Sequence, residues 1–90
     1  MPATYVIHAD EKVVPPVISV PAFLAIQLTV VSGDGKEHRA QLRAPHAPGF
    51  VVPAGGSGHQ RIGGLRAGQY ALLIDGKPRA SLMTGGEPGP

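Results

Sequence analysis

The chain contains no cysteine and no tryptophan. Without thiols it can build no disulfide framework, no zinc–thiolate centre and no iron–sulfur cluster. Aromatic residues are confined to Tyr5, Phe23, Phe50 and Tyr70, too few and too scattered for a platform on which nucleic-acid bases stack. Charge is sparse as well. The formal net charge is +2 and charged residues make up 16%, a balance that favours neither nucleic acid nor a membrane surface. No apolar run is long enough to cross a bilayer, so direct membrane insertion is not expected. No basic-then-apolar leader opens the sequence, so an exported form implies a mature or partial chain.

Glycine and proline are abundant, at 13 and 10 of 90 residues. Each costs a helix interior about 1 and 3 kcal/mol respectively, which disfavours long helices. The same load suits short strands joined by tight turns. The length fits one small domain, able to bury about 60–65% of its unfolded surface around a single aliphatic core.

Period-two alternation places the strands. Thr4 to Ala9 and Val17 to Val20 are short β-prone runs, separated by Pro15-Pro16, which blocks helix. Leu24, Ile26, Leu28 and Val30 alternate with Ala25, Gln27, Thr29 and Val31. Gly33-Asp34-Gly35 then supplies a turn. His38, Ala40, Leu42 and Ala44 share one face of the next strand, with Arg39, Gln41 and Arg43 on the other. An inward first face puts His38 at the rim of the core. Phe50 to Val52 and His59 to Ile62 follow as short strands. Gly68 to Ile74 is the most apolar one, and Asp75-Gly76 is a strong hairpin signal before Arg79 to Thr84. About seven short strands at roughly ten-residue spacing read as a small all-β, antiparallel sandwich over residues 1–84. Residues 85–90 form a flexible C-terminal tail. The expected inward set is Val17, Ile26, Leu28, Val30, Leu42, Tyr70, Leu72 and Ile74.

Enzyme motifs fail one by one. Gly55-Gly56-Ser57-Gly58-His59 lacks the last glycine of a nucleophile elbow. Gly33-x-Gly35 and Gly56-x-Gly58 lack the third glycine of a dinucleotide loop, and no Gly-Lys-Ser/Thr is present for phosphate. The carboxylates Asp10, Glu11, Asp34, Glu37, Asp75 and Glu87 show no acid/base pairing in their spacing. The histidines His8, His38, His46 and His59 show no chelating spacing, so a metal site would have to be assembled from distant segments.

Four stretches occur in a particular order: Pro15 to Ala22, Ser32 to His38, Pro53-Ala54-Gly55-Gly56, and Leu65 to Ile74. Across most of residues 15–84 this order resembles the cupredoxins. In that family "Asn-x-Asp-x-x-x-His" is followed by "Pro-x-Gly" and then "Leu-x-x-Gly-x-Tyr-x-x-x-Cys". The resemblance implies a Greek-key β-sandwich and a periplasmic or extracellular location. It puts His38 at the first histidine ligand of a type-1 copper site and Ile74 at the cysteine. Asp75-Gly76-Lys77-Pro78 closes the loop that should carry the second histidine and the axial methionine, and Met83 falls too far along to serve. A blue-copper site needs the thiolate. The expectation is therefore a non-catalytic cupredoxin-like binding or interaction module with a degenerate copper site and no cofactor. Its expected partner is another protein, and the chain itself a monomer or weak homo-oligomer. An immunoglobulin- or fibronectin-like sandwich fits the same periodicity.

The alternative function is metal binding, of copper or zinc, anchored on His38 with Asp75, His46 or His59 if the loops converge. Each of these residues also has an ordinary structural explanation. His38 can be a rim histidine bonded near a turn, Asp75 a turn residue, His46 a solvated loop side chain and His59 an ordinary strand residue.

Overall fold

A computed structural model of the chain describes residues 1–85. It contains nine strands and, among the described residues, no helix: β1 (Pro2–Ile7), β2 (Val13–Val14), β3 (Val17–Val20), β4 (Ile26–Ser32), β5 (His38–Leu42), β6 (Phe50–Val52), β7 (Ser57–Ile62), β8 (Gly68–Ile74) and β9 (Lys77–Thr84). They form two sheets, ordered β2-β1-β4-β7 and β3-β9-β8-β5-β6. The expected sandwich is present. Most pairs are antiparallel, but β1 pairs β4 and β3 pairs β9 in parallel, so both sheets are mixed. The physical reason is the crossing at Pro15-Pro16. The chain leaves the first sheet after β2, enters the second as β3, and returns through Pro21–Ala25 as β4 alongside β1.

The inward faces follow the alternation in the central strands. Ile26, Leu28, Val30, Leu42, Leu72 and Ile74 are all buried. Val17 is not: it is 45% exposed, because it pairs with Ser81 on the outer face while Val20 turns inward. Tyr70 is half-buried against the core, and its hydroxyl donates to the Arg66 carbonyl at 2.9 Å. The largest fully buried side chain is Tyr5. Its hydroxyl crosses the core to donate to the Ser81 carbonyl at 2.6 Å, tying one sheet to the other. Burial pushes its pKa up to about 12.

The turns segregate into two ends. One holds the connections 8–12, 33–37 and 53–56 and the Asp75-Gly76 hairpin; the other holds 21–25, 43–49 and 63–67. Asp75 and Gly76 have φ of 53° and 82°. Two left-handed residues between paired Ile74 and Lys77 make a tight turn of the kind that an Asp-Gly pair favours. Gly85 donates its N–H to the Val20 carbonyl at 3.0 Å, which ties down the first residue of the expected tail. The remainder of the expected flexible tail, residues 86–90, lies outside the described residues.

Candidate functional site

Ser32 and His38 bracket the β4–β5 turn. Gly35 takes a φ of 75°, and the Lys36 N–H folds back onto Asp34 Oδ1 at 3.0 Å. Ser32 Oγ lies 3.0 Å from Asp34 Oδ1 and 2.5 Å from the Lys36 carbonyl, its single proton shared between them. This local wrap leaves Asp34 Oδ2 free to face His38 Nε2 at 2.8 Å. Such a side-chain-to-backbone loop is what short aspartates do in turns.

The second carboxylate comes from the hairpin. His38 Nδ1 is 2.6 Å from Asp75 Oδ2. Asp75 Oδ1 accepts the Arg39 N–H at 3.0 Å, and the Asp75 N–H donates to the Arg39 carbonyl at 2.8 Å. The imidazole is 9% exposed and gripped on both nitrogens; Asp34 is 5% exposed and Asp75 53%. An ionised carboxylate only accepts hydrogen bonds, so both ring nitrogens must donate. Burial pulls the His38 pKa down, but the hydrogen bonds and charges of Asp75 and Asp34 outweigh it and the net shift is upward. The Lys36 N–H is the main reason Asp34 is lowered to about 2, with His38 and Ser32 assisting against burial. Asp75 is lowered first by His38 and then by the Arg39 N–H. The result is an imidazolium clamped between two carboxylates, joining two turns that are far apart in sequence.

Ile74 is buried beside this clamp. It and His38 line a small cavity of about 60 Å³ together with Ile7 and Asp75. Burying its side chain contributes about 1.5–3 kcal/mol.

The other sequence candidates sit elsewhere. His46 is exposed at the far end, near Leu65 and Tyr70, with a φ of 56°. His59 is exposed on the outer face of the first sheet, 3.0 Å from Thr29 Oγ1 and 3.3 Å from Ser57 Oγ. The structure thus brings together only His38 and Asp75 from the expected set, and neither His46 nor His59 converges on them. It adds Asp34, which the spacing of carboxylates does not reveal as a partner. The available signal was Ser32-x-Asp34-x-x-x-His38, whose aspartate holds a fixed place in the cupredoxin pattern. Among the described residues no three His, Cys, Asp or Glu side chains are arranged to hold a metal ion. The residues at the clamp do not fit type-1 copper: position 74 offers hydrocarbon, and both nitrogens of His38 face carboxylates.

No protein-family model matches the sequence, and no curated protein matches it. Among solved structures, auracyanin B, a cupredoxin, superposes with a TM-score of 0.75 at 14% sequence identity. The match covers 92% of this chain and 87% of that one. The strand order, the two mixed sheets and this superposition lead to one conclusion: the chain has a cupredoxin-like fold.

Proposed function

We propose that the chain is a non-catalytic interaction module on a cupredoxin-like frame, with an ionic clamp standing where that fold can carry type-1 copper. The observation that supports this most is the double engagement of His38 by Asp34 and Asp75. A metal ligand needs an unprotonated ring nitrogen, and here each nitrogen holds its proton against an anion. The clamp also does mechanically what a metal does, linking the β4–β5 turn to the β8–β9 hairpin. We further propose a protein partner and a periplasmic or extracellular location, the latter on the resemblance of fold alone. Among the described residues no helix is long and apolar enough to cross a membrane.

The test is calorimetry and absorption spectroscopy with copper(II) and zinc(II), on wild type and His38→Ala. The reading expects no intense blue band and the same weak or absent binding in both proteins. A saturable site lost in His38→Ala would replace it with the metal-binding function. Catalytic turnover abolished by a single substitution would remove the non-catalytic reading.

A further inference from the structure

The net charge conceals a segregation. Every carboxylate among the described residues (Asp10, Glu11, Asp34, Glu37, Asp75) lies at the His38 end, as do Lys12, Lys36 and Lys77. The opposite end carries Arg43, Arg61 and Arg66, all exposed. None of these three makes an ion pair among the described residues, whereas the His38 end holds Arg79–Glu11 at 3.2 Å and Lys12–Asp10 at 3.7 Å.

The same basic end exposes apolar surface. Phe23 is 71% exposed, Leu24 48% and Met1 46%. Phe23 also has a φ of 64°, a conformation that bulky residues avoid. Its backbone is nonetheless fixed. The Phe23 N–H donates to the Leu65 carbonyl at 2.8 Å, and Gly64 packs so closely that a Cβ there would strike the Phe23 backbone. The Arg66 carbonyl accepts from both Tyr70 and Thr84, at 2.9 and 2.5 Å, which holds the adjoining loop. Gly64, which packs on the Phe23 backbone, also lines a groove of about 260 Å³ together with Pro45, His46, Leu65, Arg66 and Tyr70. An exposed aromatic side chain on a backbone already held in place loses less conformational entropy on binding than one on a mobile loop.

Three occupants are conceivable, and the composition separates them. A second copy packed symmetrically would bring the same arginines against these, which like-charge repulsion opposes, and one packed head to tail would offer carboxylates already offset by Lys12, Lys36, Arg39, Lys77 and Arg79. Anionic membranes are usually met by clusters of about four to eight basic residues, more than this end holds. Among its described residues this end combines arginine, phenylalanine, tyrosine and methionine without lysine or carboxylate, which is the bias of protein–protein interfaces. We propose that the Phe23–Arg66 end is the docking surface for an acidic, apolar-containing segment of a protein partner. Its carboxylates would meet Arg43, Arg61 and Arg66, and its apolar side chains Phe23, Leu24 and the groove. This rests on the interaction-module reading and places the contact surface at the end opposite His38.

The test is selection of displayed random peptides on the whole chain, with phosphatidylglycerol vesicles in parallel. Enriched peptides should be acidic and apolar. Their affinity should fall about tenfold or more in Phe23→Gly and again in Arg66→Glu, as truncation of interface anchors does. Phe23→Gly should keep or raise the thermal midpoint, since glycine accepts the left-handed backbone; a fall would make Phe23 a packing residue and overturn the proposal. Enriched peptides indifferent to both variants would overturn this surface while leaving the interaction module standing. Vesicle binding without peptide enrichment, or no enrichment at all, would overturn it too.

Discussion

At one end of the sandwich a histidine is buried with both ring nitrogens bonded to carboxylates; at the other a phenylalanine stands largely in solvent on a left-handed backbone. Both arrangements depart from the ordinary partition of polar outside and apolar inside. They depart in opposite senses. The His38 end satisfies every polar atom it buries: among the described residues no buried side-chain nitrogen or oxygen lacks a partner. The Phe23 end leaves apolar area exposed, and cations without an ion-pair partner among the described residues, while its backbone is tightly held. The contrast teaches that the first region spends its polar groups on one another, whereas the second leaves uncovered the surface on which the proposed docking rests.

The strongest way to break this comparison is to remove the cation from the clamp. His38→Ala leaves Asp34 and Asp75 without the charge between them, and Asp34 almost without solvent. Breaking a buried charged pair costs about 3–5 kcal/mol; the half-exposed Asp75 brings the expectation down to about 2–3 kcal/mol. Denaturant unfolding of the variant measures it directly. A loss within ordinary surface scatter would make the clamp ornamental.

The two carboxylates then sharpen the picture. Asp34→Asn should destabilise more than Asp75→Asn, because Asp34 is 5% exposed and Asp75 53%. Equal effects in thermal melts would mean that burial does not rank them. Their pH signature has a definite sign. Both carboxylates have lowered pKa values, so their contribution is complete above the ordinary value of 3.8 and fades as the pH falls, for Asp34 toward about 2. His38 is raised, so its contribution is complete below 6.5 and is lost as the pH climbs through its higher folded value. Stability against pH should therefore show a plateau between about 4 and 6.5 and fall on both sides. His38→Ala should flatten the alkaline limb and keep an acid one, since the Lys36 N–H is the main hold on Asp34.

How far the sequence foretold these regions depends on the range of the forces involved. The Asp75-Gly76 turn was legible, because its backbone demand is local and both residues are left-handed as that pair requires. The inward faces of β4 and β5 were legible from period two. Val17 was misread because an edge strand's phase is set by the crossing at Pro15-Pro16 and not by its own residues. The role of Tyr5 lay hidden because its partner, the Ser81 carbonyl, is in the other sheet. At the site, His38 and Asp75 stood out through the family pattern. Asp34 stands in the same pattern, but its partnership with His38 was not legible, because only the fold of the turn aims its second oxygen at the ring. The gathering of carboxylates at one end appears only when topology sorts the turns.

The smallest predicted effect belongs to the other end. Phe23→Gly relieves a left-handed backbone, which stores about 1–3 kcal/mol in a non-glycine residue. It also loosens the unfolded chain, which takes back part of that gain. A net stabilisation of about 1 kcal/mol or less is expected from a denaturant titration. A clear loss would show that the exposed ring packs against the body of the protein.

The central claim is that His38 is an imidazolium locked between two carboxylates and closed to metal. Side-chain proton–nitrogen NMR of His38 near neutral pH, before and after addition of zinc(II), tests it most directly. The account predicts two protonated ring nitrogens, both with slowly exchanging protons, and a spectrum unchanged by the metal. A single protonated nitrogen before addition, or a ring nitrogen that loses its proton on stoichiometric zinc(II), would contradict it.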